Sequence, residues 1–244
     1  MYIIIGASSG VGRAIAETFA SKGHDLLLVS REDRDTHAVA SDLMLRFGVS
    51  VNSVKLDLAA SQPDFSEILA AVDSAAGNFK GLLVPAGTVI DTDTLDIEPS
   101  TIDGLFRVNC LSICSLITEI LKRAHKDSMI SIVGFGSIAS VRGRGSNMIY
   151  SAAKTAIQFY FESLRHACVG RNIAVQFYVL GYMDTNLAFA YNVPLPKGAP
   201  DKLAQRVYRN IHKDIGVNFF PRYWLIIVMI IKLIPWPVYK HLKF

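Results

Sequence analysis

A single α/β domain, built on a doubly wound parallel sheet and ending in an apolar, basic tail, is the fold this sequence predicts. Three observations point there. Short apolar runs rich in β-branched residues alternate with stretches of helical periodicity along most of the chain. The first such run opens into a glycine-rich turn that leads straight into a helical pattern. And 244 residues with 51% hydrophobic content suffice for one large core on both faces of a sheet.

Strands are expected at Tyr2–Ile5, Asp25–Ser30, Val51–Leu56, Gly81–Val84, Met129–Val133 and Ala174–Val179. The first runs into Gly6-Ala-Ser8-Ser9-Gly10-Val11-Gly12, after which Ile15, Ala16, Phe19 and Ala20 recur at helical spacing. A turn of this kind sets backbone amides and a helix N-terminus against a pyrophosphate. Gly6, Ser8, Ser9, Gly10, Val11 and Gly12 are therefore candidates for holding a dinucleotide. Their spacing is G-x-x-x-G-x-G, not the commoner G-x-G-x-x-G. The second strand ends at Ser30-Arg31, where an acid would select NAD(H) through the ribose 2′-hydroxyl. Ser30 is neutral and the planar fork of Arg31 suits a 2′-phosphate, so NADP(H) is expected. NAD(H) is the alternative if the strand runs on towards Glu32 and Asp33.

Further along, Tyr150 and Lys154 stand four residues apart, on one face of any helix that contains them. A phenol titrates near ~10, too high for proton transfer at neutral pH. A neighbouring ammonium favours the phenolate. The pair suits protonating a carbonyl oxygen or deprotonating an alcohol.

With the glycine turn, Asp57-Leu58, Ala86-Gly87, Asn109, Ser137, Tyr150/Lys154 and Gly181-Tyr-Met183-Asp-Thr185 in this order, the chain resembles the short-chain dehydrogenase/reductase family over roughly its first 190 residues. The resemblance implies a Rossmann-like fold and an NAD(P)(H)-dependent oxidoreductase acting on CH–OH or C=O groups. It makes Tyr150 the acid/base, and Ser137 a hydrogen-bond partner of the substrate oxygen. Lys154 becomes the group that tunes Tyr150 and holds the nicotinamide ribose, and Asn109 the support of a proton-relaying water. Asp57, Leu58, Ala86, Gly87, Gly181, Met183 and Thr185 join the cofactor-binding candidates, with Asp57 beside the adenine. Ile5 replaces the family's threonine before the first glycine, Val84-Pro85 its asparagine pair, and Leu180 its proline; none of these handles the proton. The family also implies a homodimer or homotetramer through the helices expected near Thr101–Ala124 and Ile149–Val169.

The chain divides at residue 218 into a catalytic domain, 1–218, and an extension, 219–244. The net charge of +4 is uneven: residues 201–244 hold eight Lys/Arg against two Asp, a net +6, leaving −2 for the rest. Tyr223–Ile234 is apolar but too short to span a bilayer, which needs about 20 residues, and Pro235 and Pro237 end it. Trp224, Trp236, Arg222, Lys240 and Lys243 flank it as they flank a segment lying in a membrane interface. A lid over the substrate pocket and a helix in a subunit interface are the alternatives. The loop Arg142-Gly-Arg144 and the Phe-Pro-Arg-Tyr ending resemble, locally, reductases of keto-sugars carried on polyprenyl phosphates. Arg142 and Arg144 are candidates for holding an anionic phosphate there, and Leu187–Lys202 for a substrate loop.

Cys110, Cys114 and Cys168 show neither metal spacing nor a disulfide framework. With no leader before the first strand, this makes a reduced, cytoplasmic protein, peripheral at the inner face of a membrane, the expectation. Basic residues are not interleaved with stacking aromatics, so no nucleic-acid partner is expected. The leading reading is NADPH-dependent reduction of a carbonyl on a hydrophobic or lipid-linked substrate. A soluble reductase of ketones or sterol-like molecules with the tail as lid, and a non-catalytic NADP(H)-binding regulator, are the other two.

Overall fold

The computed structural model describes residues 1–242 except Ser9, Ala76, 125–127 and 186–195. Seven parallel strands form one sheet in the order β3-β2-β1-β4-β5-β6-β7. They are β1 (Tyr2–Ile5), β2 (Leu26–Ser30), β3 (Val51–Lys55), β4 (Gly81–Val84), β5 (Ile130–Ser137), β6 (Ile173–Leu180) and β7 (Gly216–Phe220). Helices α1 (Gly10–Ala20), α2 (Asp33–Phe47) and α7 (Pro200–Asn210) belong to one face. Those on the other are α3 (Ser66–Ser74), α4 (Pro99–Phe106), α5 (Ser112–Arg123) and α6 (Met148–Ala167). Both faces of β1 are buried, Ile3 and Ile5 towards one layer and Tyr2 and Ile4 towards the other, which is why the run is apolar without alternation.

Helices α4 and α5 are continuous through a π-turn, Arg107–Leu111. By length and composition Pro99–Arg123 could cross a membrane. It instead packs Ile113, Leu116, Ile117 and Ile120 into the core on the sheet.

Two strands depart from expectation. β5 runs four residues beyond Val133, to Ser137. Gly134 and Gly136 lie beyond the apolar run that marks the expected strand, yet they are strand residues stripped of side chains so that two rings can lie on them. A Cβ on Gly134 would stand 2.4 Å from Phe161 Cζ, and one on Gly136 2.5 Å from Phe177 Cε1. β7 was not foreseen. It pairs with β6 from Gln176↔Gly216 to Leu180↔Phe220, so the boundary at 218/219 cuts through a strand of the central sheet, and Phe219 and Phe220 belong to the domain. The tail proper is α8 (Trp224–Leu233) and α9 (Trp236–Tyr239).

Candidate active site

The strand order reverses direction between β1 and β4, and there the carboxyl ends of the strands open into a crevice, the usual ligand position in such a sheet. The glycine turn after β1 and the loop after β4 meet at that point. Gly6, at φ +89°, has room for no side chain: a Cβ would come within 2.9 Å of Ala86 Cα. Gly12 is tighter still, with its Cβ position 1.9 Å from the Gly6 carbonyl oxygen, so the turn folds back on itself as α1 begins. The first amides of α1, which have no partners within the helix, therefore start at the crevice. Gly10 touches the end of the Gly181–Thr185 segment, its Cβ position lying 3.2 Å from Thr185 Cγ2. Ser8 is half-buried in the same turn and Val11 packs partly on the core; Ser9 lies outside the described residues. This cradle fits a dinucleotide pyrophosphate.

At the adenosine end, β2 stops at Ser30 as expected. The Ser30 hydroxyl donates to the Glu32 carbonyl (3.0 Å), which turns it towards the start of α2. Arg31 extends into solvent, 72% exposed and 3.2 Å from Glu32 Oε1. Asp57 is exposed beyond β3 and accepts the Ala59 N–H at 2.9 Å. Leu58 gives its side chain to the core and its carbonyl to the Ser112 hydroxyl (2.7 Å). Met183 is also a core residue, bridged to Gly198, and Gly181 lies directly beneath the Trp224 indole.

Two of the catalytic candidates, Lys154 and Asn109, converge on Gly87. A Cβ there would stand 2.9 Å from Lys154 Nζ and 3.0 Å from Asn109 Oδ1, so only glycine lets the two polar groups share the space. The π-turn widens the helix at Asn109 and turns its fully buried side chain onto Thr88. There Asn109 donates to the Thr88 carbonyl (2.9 Å) and accepts the Thr88 N–H (3.2 Å), and it donates also to the Leu105 carbonyl. Lys154 is buried and makes one long contact, 3.4 Å, to the Phe135 carbonyl. Burial lowers its pKa from 10.5 to about 8. Its ammonium nitrogen is 5.9 Å from the centroid of the half-buried Tyr150 ring, one helical turn away. Ser137 closes β5, where its hydroxyl accepts the Ala139 N–H at 3.1 Å and keeps its own hydrogen to donate.

Two features of the site were not foreseen. Asp93, fully buried in the loop after β4, accepts the backbone N–H groups of Ile149 and Tyr150 at 2.8 Å each. Arg142 is not positioned as a phosphate ligand. Its guanidinium donates to the Ile231 and Ile234 carbonyls, both at 2.6 Å, and lies 3.7 Å over the Tyr239 ring. The carbonyls at the end of α8 attract a cation, and these bonds tie the loop before α6 to the tail. Most of the expected substrate loop, 187–195, lies outside the described residues.

Known proteins resemble this chain in sequence and in fold. A very-long-chain 3-oxoacyl-CoA reductase of Bos taurus is 25% identical, covering 98% of this chain and 77% of its own. The structure of a short-chain dehydrogenase from Sphingobium yanoikuyae in complex with NADPH superposes with a TM-score of 0.79. It is 23% identical over 99% of this chain and 96% of that one. A bulky-bulky ketone specific alcohol dehydrogenase from Comamonas testosteroni gives 0.77, at 22% identity over 99% and 94%. Residues 1–193 match the short chain dehydrogenase family, and with the glycine turn, Ser137, Tyr150 and Lys154 set on one parallel sheet, the chain belongs to that family of oxidoreductases.

Proposed function

We propose that this chain is an NADP(H)-dependent carbonyl reductase whose proton donor is Tyr150. The carrying observation is the crowding of Lys154 and Asn109 against Gly87, one helical turn from Tyr150. Gly6, Ser8, Ser9, Gly10, Val11 and Gly12 take the pyrophosphate, Arg31 the 2′-phosphate, and Asp57 the adenine side. Ala86, Gly87, Gly181 and Thr185 close the crevice around the rest. When bound, NADPH supplies a hydride to the carbonyl carbon. Tyr150 gives its hydroxyl proton to the carbonyl oxygen and is left as a phenolate, which the Lys154 ammonium stabilises. Ser137 donates its free hydrogen to the same oxygen and orients it. A water held near Asn109 returns the proton to Tyr150. The buried lysine keeps its charge at neutral pH, because pH 7 lies below its pKa of about 8.

The substrate we propose is a ketone on a hydrophobic or lipid-linked molecule. Two things support it: the tail packs beside the cleft through Gly181 and Arg142, and a relative is named a very-long-chain 3-oxoacyl-CoA reductase. Arg144, half-buried in the same loop, remains for an anionic group. We also propose a cytoplasmic protein in peripheral contact with the inner face of a membrane through α8 and α9, whose outer residues are apolar and exposed. It forms a homodimer or homotetramer through the continuous α4–α5 helix and α6, where Leu111, at the end of the π-turn, and Phe159 are 46% and 70% exposed.

Tyr150→Phe tests the central reading. NADPH should bind with unchanged affinity by its fluorescence, while reduction of a hydrophobic ketone falls by about a thousandfold, the scale of a lost general acid. Turnover within a few-fold of wild type would remove Tyr150 from its role.

A further inference from the structure

Helix α6 begins with Asn147 as its N-cap, Met148 at the first helical position, Ile149 at the second and Tyr150 at the third. The first intrahelical bond is Ser151 N–H to the Asn147 carbonyl, 2.9 Å. Tyr150 thus sits ahead of that bond, and its own amide is one of the orphan donors of a helix start. An N-cap side chain normally serves the second and third amides. Asn147 does not: it makes no capping bond, and its Oδ1 faces the Ser151 hydroxyl at 3.2 Å.

Asp93 serves both instead, from 57 residues away, with one carboxylate oxygen on Ile149 and the other on Tyr150, each at 2.8 Å. The carboxylate is fully buried. Burying a charge is costly where a polar cap from Asn147 would have sufficed for the helix alone, so something beyond helix stability is being fixed. What differs is the partner element. The loop that carries Asp93 also carries Gly87, against Lys154 and Asn109, and Thr88, which clasps the Asn109 side chain.

We propose that Asp93 is a positioning residue for the acid/base: it locks the backbone of Tyr150 to the loop that also holds Asn109 and borders Lys154. The inference rests on the catalytic reading of Tyr150. Without that lock the first turn of α6 frays, and the phenol loses its fixed distance to Lys154 while the body of the helix, held by Ile157 and Phe161, stays in place.

Asp93→Asn keeps the shape, but its amide group meets one of the two N–H groups with a donor. Hydrogen exchange at Ile149 and Tyr150 should speed up at least tenfold, with protection from residue 154 onward unchanged. For NADPH-dependent reduction of 2-decanone in micelles, kcat should fall about tenfold or more, with KM for NADPH within twofold. Asp93→Ser, a smaller cap with one acceptor, should fall between the two and serves if the asparagine variant does not fold. Asp91→Asn, an exposed neighbour, is the control. Unchanged exchange at the two amides, kcat within twofold, or a loss of protection spread over all of α6 would each overturn the proposal. Should the wild type not reduce 2-decanone, the catalytic reading fails on its own, and the exchange data still decide whether Asp93 holds Tyr150.

Discussion

Helices α6 and α8 are both rich in apolar residues and both lie beside the cleft, but they treat those residues in opposite ways. α6 sends Ala153, Ile157 and Phe161 into the core and buries a charged amine, Lys154, with them. α8 buries only Trp224 and Val228, and leaves Leu225, Ile226, Met229, Ile230 and Leu233 at 47–81% exposure. Trp236 and Val238 of α9 extend the same apolar surface. On the proposed function, the first helix spends desolvation on chemistry. The second leaves apolar area uncovered, on the order of 1.5–3 kcal/mol of unused burial for each large side chain. Within the family-matched residues, Asn109 and Asp93 find their hydrogen-bond partners inside the domain. The tail, beyond them, is keyed to the domain at a few points and otherwise faces outward.

The strongest way to break this contrast is at its main key. The Trp224 indole covers Gly181 so closely that a Cβ there would lie 1.9 Å from Nε1. Trp224→Ala should cost about 3–5 kcal/mol in urea unfolding, the usual range for a buried tryptophan. The indole N–H has no hydrogen-bond partner among the described residues, which places the expectation at the lower end. A loss under about 1 kcal/mol would mean that the tail is not anchored in the domain.

Next in size is the cost of the buried amine. Lys154 has a folded pKa of about 8 against 10.5 when solvated. Below pH 8 the folded state carries the full penalty of a desolvated ammonium. Between pH 8 and 10.5 the folded amine is neutral while the unfolded one still binds a proton, so the penalty is relieved as pH rises. Relative to Lys154→Met, wild-type stability should therefore climb through that window by on the order of 3 kcal/mol. A flat difference between the two proteins from pH 7.5 to 10.5 would show that Lys154 is hydrated.

Much of this was legible in the chain itself. Six strands were readable because parallel strands buried on both faces appear as plain apolar runs, and Gly6 and Gly12 because a turn that touches backbone on every side admits no substitute. Tyr150 and Lys154 came from spacing and Ser137 from resemblance; the structure sets Ser137 at the end of β5 and the other two in the first turns of α6. Other features were hidden for physical reasons. The end of β5 lay beyond the apolar run because the rings filling Gly134 and Gly136 come from α6 and β6. β7 is a short run, Gly-Val-Asn-Phe-Phe, at the sheet edge, where partial exposure blurs the pattern. Asp93 is one of four acids between residues 91 and 98, and nothing local separates a buried cap from a solvated loop acid. Arg142 was given to a phosphate because its true acceptors, carbonyls of a helix almost ninety residues on, have no signature in side chains.

The outward face of α8 offers the smallest and most discriminating test. At ten residues the helix is ~15 Å long, half the thickness of a hydrocarbon core, so it can lie in an interface but not cross one. The tail holds Arg222, Lys232, Lys240 and Lys243 and no acidic residue, so in the proposed membrane contact these would meet anionic headgroups while the apolar residues enter the acyl boundary. Met229 and Ile230 are both 58% exposed, so replacing them together by Asp removes no core packing. The doubly substituted protein should keep the wild-type unfolding midpoint and its NADPH affinity. Its partitioning onto vesicles of mixed neutral and anionic lipid should fall at least about tenfold, or ~1.4 kcal/mol. Equal partitioning of the two proteins would give the exposed face to another occupant. A second copy of the chain would then show itself as a change in sedimentation between wild type and variant, and the contrast between the two helices would become one between catalysis and assembly.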